Sequence, residues 1–147
     1  MFKKLNLPSF EIQLKKNRNG YSIRDIIRNK YVVLTPEEWV RQHFINYLIT
    51  QKKYPKGLIS VEINTGNLEV KNRADIIIYD KYGKEWMLIE CKASEINLSQ
   101  DALYQALRYY INITTKYIVL TNGITHFCLK MDENQYYFLD ELPDFQD

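Results

Sequence analysis

The stretch from Arg73 to Lys92 constrains the fold more tightly than any other part of the chain. Two apolar runs, Ala74 to Tyr79 and Trp86 to Cys91, flank a short polar segment holding Tyr82 and Gly83. Ile, Tyr and Trp favour the pleated surface of a strand, and a glycine turn between two such runs specifies a β-hairpin. With the turn centred between Tyr82 and Gly83, Asp80 faces Glu85 and Asp75 faces Glu90. Opposed residues of an antiparallel pair have Cβ atoms roughly 5 Å apart, so these carboxylates should repel. Nothing in an otherwise apolar hairpin accounts for them, whereas a divalent cation between Asp75 and Glu90 does. Lys92 lies two residues beyond Glu90, on the same strand face and about 7 Å further along.

The bulk numbers narrow the class without naming it. At 147 residues the chain fits one domain with a real core. A 46% hydrophobic content with only five glycines and four prolines describes an ordered globular chain. The net charge of +2 is compatible with nucleic acid but does not demand it, and no Lys/Arg block reads as an arm or tail. Cys91 and Cys128 both sit in apolar runs, as core thiols do, and no C-x-x-C pair exists for zinc or redox chemistry. The N-terminus lacks the apolar core of a signal peptide, and no apolar run approaches the ~20 residues of a membrane span. The expectation is a cytoplasmic protein with no membrane association.

Along the chain, Phe10 to Leu14 and Tyr21 to Arg24 flank the turn residues Asn17 to Gly20, a hairpin signal, and Ile26 to Leu34 is a mixed stretch ending in an extended Tyr31 to Leu34. Thr35, Pro36 and Glu38 then spell an N-cap, a first-turn proline and a capping box. Val40, Phe44, Tyr47 and Leu48 follow at helical spacing to about Thr50. A strand from Leu58 to Ile63, a turn at Thr65 to Asn67 and Leu68 to Lys71 lead into the central hairpin. After Lys92 the period becomes helical, with Leu103, Ala106, Leu107, Tyr110 and Ile111 in one stripe and Asp101 near its start. Lys116 to Leu120, Thr125 to Met131 and Tyr136 to Leu139 read as strands. The expected architecture is α/β, a mixed β-sheet flanked by α-helices. Residues 1–34 would form an N-terminal extension and 35–143 the core of a single domain spanning 1–147.

Phosphodiester hydrolysis needs the phosphate charge neutralised and a nucleophilic water generated, and Asp75, Glu90 and Lys92 at one hairpin end suit the metal-assisted form of that reaction. Mg²⁺ takes oxygen ligands and keeps several waters. Asp75 and Glu90 are candidate ligands, the backbone carbonyl of Cys91 is a third, and Mn²⁺ should substitute. Lys92 is placed to hold or deprotonate the attacking water, or to steady the phosphate. The competing reading is a solvated ion cluster on a strand surface. His43 and His126 have no partner at metal or triad spacing, and Arg41 and Lys71 read as solvated charges.

Asp75, fourteen residues, then Glu90-Cys91-Lys92 and a helix resembles the PD-(D/E)xK nuclease core, with Ala74 where the family name has proline. Gln105 and Tyr109 form a Q-x-x-x-Y that resembles the helicase-associated subgroup carrying that signature. The segments L-T-P-E-E-W-V-R-Q-H-F, R-A-D-I-I-I-Y-D, M-L-I-E-C-K-A and V-L-T-N-G-I-T-H are together similar to the N-terminal domain of type I restriction enzyme R subunits. The resemblance implies a restriction-endonuclease-like fold and a Mg²⁺-dependent DNA endonuclease, with Asp75, Glu90, Lys92 and Gln105 catalytic. It places Glu38 beside the metal and Gln105 and Tyr109 on Lys92 and the DNA backbone, while Arg73, on the strand face of Asp75, could contact phosphate or merely pair with a carboxylate. Gln105 and Tyr109 as ordinary helix-surface residues, and Glu38 as a cap alone, are the simpler alternatives. R subunits continue into a DNA translocase, but this sequence holds no G-x-x-x-x-G-K-[S/T] loop. It is expected to be a stand-alone domain or a piece of a larger protein, working with a restriction or helicase subunit. The alternative function is a catalytically silent DNA-binding or protein-interaction module on a nuclease fold.

Overall fold

The computed structural model describes residues 2–61, 74–110 and 115–146, with only the backbone described at 109 and 110. Arg73 and Lys71, the turn at 65–67, the segment 68–71 and Ile111 lie outside the described residues.

Six strands form the main sheet in the order β4 (Ile59–Val61), β5 (Ile76–Tyr79), β6 (Glu85–Cys91), β7 (Tyr117–Thr121), β8 (His126–Asp132) and β9 (Gln135–Leu139). Every neighbouring pair is antiparallel except β6 and β7, which run parallel. A parallel pair needs a long crossover, and helix α2 (Gln100–Tyr110) supplies it. Helix α1 (Pro36–Thr50) packs on the opposite face. The division follows strand alternation. Ile76, Ile78, Met87, Ile89 and Val119 meet Val40, Phe44, Ile45 and Leu48 of α1. Ile77, Leu88, Ile118 and Leu120 meet Leu103, Ala106 and Leu107 of α2. The result is an α/β restriction-endonuclease-like architecture, and no helix among the described residues is long and apolar enough to cross a membrane.

The central hairpin keeps the anticipated register through Ile76 opposite Ile89, Ile77 opposite Leu88 and Ile78 opposite Met87. A bulge at Ile78/Tyr79 then shifts it, so Glu85 pairs with Tyr79 and not with Asp80. Asp80 organises the turn instead, its Oδ1 accepting from the amides of Tyr82 and Lys84 at 2.9 Å each. An aspartate that closes an Asx-type turn has no need of a partner across the strands.

A separate antiparallel sheet precedes α1: β1 (Leu14–Asn17), β2 (Gly20–Asp25) and β3 (Lys30–Val33). The expected hairpin forms, but its first strand is Leu14–Asn17 and not Phe10 to Leu14; the mixed stretch that follows reaches the extended Lys30–Val33 through a turn at Ile26 to Asn29. Its cause is Asp25, whose Oδ1 accepts from the amides of Ile27 and Arg28 at 2.8 and 2.9 Å.

Candidate functional site

Strand β6 ends in Glu90 and Cys91, with Lys92 the next residue, beside the end of β7. The Lys92 amide donates to the Thr121 carbonyl at 2.8 Å, which fixes the strand end against its parallel neighbour. Alternation sends the Cys91 side chain into the α1-side core and leaves Glu90 and Lys92 together on the other face. Lys92 Nζ lies 2.9 Å from Glu90 Oε1, with both side chains partly open to solvent. The Glu90 carboxylate raises the Lys92 pKa, so the lysine is a held cation. Burial pushes the Cys91 thiol well up, leaving an inert core group whose contribution to the site is its backbone.

Asp75 stands just before β5, at the open end of the hairpin. Its Oδ2 accepts from the Cys91 amide at 2.8 Å and its Oδ1 from Arg41 at 2.9 Å. The first contact ties Asp75 to the residue between Glu90 and Lys92, so Asp75, Glu90 and Lys92 converge at one sheet end. In an extended strand the amide and carbonyl of one residue face the same edge, so the Cys91 carbonyl also faces Asp75's side of β6. The expected repulsion between Asp75 and Glu90 is answered by the chain's own cations, Arg41 for one and Lys92 for the other.

Arg41 was expected in solvent, yet its side chain is only 13% exposed and it bridges two elements. Its Nη1 binds Glu38 at 2.6 Å while Nη2 binds Asp75. Burial works against the cation, but Glu38 and Asp75 outweigh it and raise its pKa. Glu38 Oε1 in turn accepts from Arg28 at 2.6 Å and from Gln42 at 2.8 Å. Arg28 also pairs with Asp25, which is fully buried. Five charges of alternating sign, Asp25, Arg28, Glu38, Arg41 and Asp75, thus run from the N-terminal sheet across α1 to the end of β5.

That chain revises the anticipated role of Glu38 in the cap. Thr35 Oγ1 does accept from the Glu38 amide at 3.0 Å, but the Glu38 side chain goes to Arg28, Arg41 and Gln42. The capping box is therefore half formed. With three hydrogen bonds on a carboxylate that offers about four lone-pair sites, Glu38 has little left for a metal.

The T-N-G turn frames the other side. Asn122 Oδ1 accepts from the amides of Ile124 and Thr125, and its Nδ2 donates to the Ile96 carbonyl at 2.7 Å. It therefore holds the loop that follows Lys92. Thr121 Oγ1 accepts from the Gly123 amide and lies 2.6 Å from His126 Nδ1, so His126 has a structural place.

Gln105 lies on the exposed face of α2 and makes no hydrogen bond among the described residues. The structure therefore does not join it to Lys92. Tyr109 follows four residues later with its side chain undescribed, and Arg73 lies outside the described residues. Arg28 and Arg41 were missed by sequence reasoning. Two arginines flanking Glu38 at −10 and +3 gave a usable signal only once Asp25 was known to fold the turn that presents Arg28.

Among the described residues, no group of three or more His, Cys, Asp and Glu is disposed to hold a metal. Mg²⁺ asks for less, since one or two carboxylates plus waters suffice. Asp75 and Glu90 are 26% and 24% exposed and each retains unused lone pairs, so they fit.

Against protein-family models, residues 36–143 match the type I restriction enzyme R protein N terminus. No curated protein matches the chain.

Proposed function

The chain belongs to the family of type I restriction enzyme R protein N termini, a restriction-modification nuclease-like module, and from that premise we propose that it is a Mg²⁺-dependent DNA endonuclease domain. The observation that carries the proposal is the convergence of Asp75, Glu90 and Lys92 at one sheet end, with Asp75 hydrogen-bonded to the Cys91 amide.

In this reading Asp75, Glu90 and the Cys91 carbonyl would hold Mg²⁺, with Mn²⁺ as a substitute. When bound, the ion supplies Lewis-acid stabilisation of phosphate charge and a more acidic water. Lys92 is a cation held by Glu90, so it serves to steady phosphate charge and orient water more readily than to remove a proton. Arg41 and the Cys91 amide fix the Asp75 carboxylate, leaving one lone pair of each oxygen for a ligand. Glu38 acts through Arg41 and so positions Asp75. Gln105 and Tyr109 of α2, with Arg73, would lie along the DNA backbone. Such a domain would work in the cytoplasm with a restriction or translocase subunit that delivers DNA.

The internal pairing of both acids, Asp75 with Arg41 and Glu90 with Lys92, favours one second reading. The same site is then catalytically silent, and the domain binds DNA or a partner protein without cutting.

Supercoiled plasmid and linear single strands incubated with Mn²⁺ or EDTA, beside Lys92→Ala, separate the two. Metal-dependent nicking lost in the variant supports the nuclease. Calorimetric titration of Mn²⁺ into wild type and Asp75→Ala covers an uncut substrate. Binding lost in the variant means a competent site awaiting its partner, and no binding in either means a silent fold.

A further inference from the structure

The charge of this chain is unevenly placed. Residues 1–34 hold eight Lys and Arg against two acidic residues, while the remainder holds 12 against 16. The first part is therefore +6 and the rest −4, which the whole-chain value of +2 conceals. In the fold, most of that excess is gathered on the three-stranded sheet β1–β2–β3. Of its basic residues, Arg28 is committed to Asp25 and Glu38. Lys15, Lys16, Arg18, Arg24 and Lys30 make no ion pair among the described residues, and all but Arg24 are exposed.

The β1–β2 hairpin carries three of these charges at its tip, where every residue from Leu14 to Gly20 is exposed. The register adds the outer face: Lys15 lies opposite Ser22, Ser22 opposite Val33, and Arg24 opposite Tyr31. The Arg24 guanidinium sits 5.7 Å from the centre of the exposed Tyr31 ring. Cations left without carboxylate partners, interleaved with an exposed aromatic, form a surface complementary to a polyanion. This sheet lies outside the matched family region, which begins at residue 36.

We infer that the N-terminal sheet is a DNA-docking surface, with Lys15, Lys16 and Arg18 at the hairpin tip and Arg24 on the outer face contacting backbone phosphates. The inference rests on the DNA reading proposed above and adds where the duplex is held. Attachment to the site is already built. The Asp25–Arg28–Glu38–Arg41–Asp75 chain fixes the sheet to the hairpin end that carries Asp75. DNA gripped by the sheet is thereby held in a set relation to that end without any of the docking residues entering it.

The test measures binding of a labelled duplex DNA in EDTA, where no cleavage occurs, across a salt series. The proteins are wild type, Lys15→Ala/Lys16→Ala/Arg18→Ala, and a control triple, Lys56→Ala/Lys81→Ala/Lys84→Ala, in exposed core lysines. Each phosphate contact adds about 0.9 to the slope of log affinity against log salt. The tip variant should weaken binding at least ~10-fold at low salt and make the slope shallower by about two to three units, while the control stays near wild type. An unchanged tip variant, or an equal loss in the control, overturns the docking surface and leaves the DNA reading standing. Absence of wild-type binding to any DNA overturns both. Tighter binding to a duplex RNA of the same length overturns the assignment to DNA. Because the tip residues are exposed and outside the ion-pair chain, the melting midpoint of the variant should match wild type, which separates lost binding from lost folding.

Discussion

Glu90 and Lys92 share one face of β6, and their 2.9 Å contact sets what each can do. Glu90 holds the lysine protonated, so its work in a phosphoryl reaction is to meet negative charge. Lys92→Ala should therefore lower cleavage by about 10²–10⁴-fold, the range for a positioned acid–base or charge-stabilising group. Mn²⁺ affinity measured by calorimetry should change little, and a matching loss of metal binding would instead make the lysine part of the metal's support. Asp75 leads to a different expectation from the one its facing Glu90 invites. Mutual repulsion would make Asp75→Asn neutral or stabilising, but Arg41 and the Cys91 amide already satisfy this carboxylate. Hydrogen bonds to charged groups are worth about 1.5–3 kcal/mol, somewhat less here because the group is a quarter exposed. Asp75→Asn should thus lower the metal-free stability by about 1–2 kcal/mol in urea unfolding. A midpoint at or above wild type would show that the repulsion wins.

At the scale of elements, two turns do more than connect. Gly123 has φ +82°, and a Cβ there would come within 2.8 Å of Leu5 Cδ2. Both backbone strain and the packed Leu5 oppose a side chain, so Gly123→Ala should cost about 1–3 kcal/mol. Its effect would be read as a lower thermal midpoint with faster exchange at the Asn6 amide, which donates to the Gly123 carbonyl. An unchanged midpoint would mean that the N-terminal segment moves aside freely. The second turn, at Asp25 to Arg28, explains what the sequence concealed. Helix α1, the hairpin register through Ile78 and the opposed faces of the sheet were all legible, because each is written in a local period or cap. The convergence of Asp75, Glu90 and Lys92 was legible for the same reason, since hairpin register is arithmetic. Arg41 on its helix and Arg28 in its turn were not, because an exposed-looking arginine reads as solvated until the carboxylates it meets are placed by tertiary contacts 34 and 10 residues away. The bulge at Ile78/Tyr79 escaped for a related reason: Asp80 favoured its own turn over the strand pairing.

Across the whole molecule, stability should depend on pH in two separate windows, one set by the five-charge chain that joins one sheet, one helix and one hairpin, the other by two histidines outside it. Burial alone would raise the Asp25 carboxyl, but the Arg28 amide and guanidinium and the Ile27 amide outweigh it and hold the group below its usual value of 3.8. A depressed carboxylate stabilises fully above its unfolded pKa and stops doing so as pH falls through the folded one. The Asp25 contribution therefore disappears only below about pH 4. Burial lowers both His43, packed against Trp39 and Phe10, and His126. For these bases the neutral form belongs to the fold, so the unfolded chain binds more protons just below its pKa of about 6.5. Stability then rises with pH across that region and is complete above it. The melting midpoint should fall modestly from pH 7 to 5, stay shallow, and fall steeply below 4. His43→Gln should flatten the upper window and leave the lower one. Asp25→Asn should do the reverse, at a loss of about 1.5–3 kcal/mol near neutrality, because a buried charged hydrogen bond to Arg28 is lost while Arg28 keeps Glu38. If Asp25→Asn instead left the neutral midpoint unchanged, the Asp25–Arg28 contact would not be what holds the sheet to α1. The rigid link between the N-terminal sheet and the Asp75 end of the hairpin would then be lost as an account of how the two halves act together.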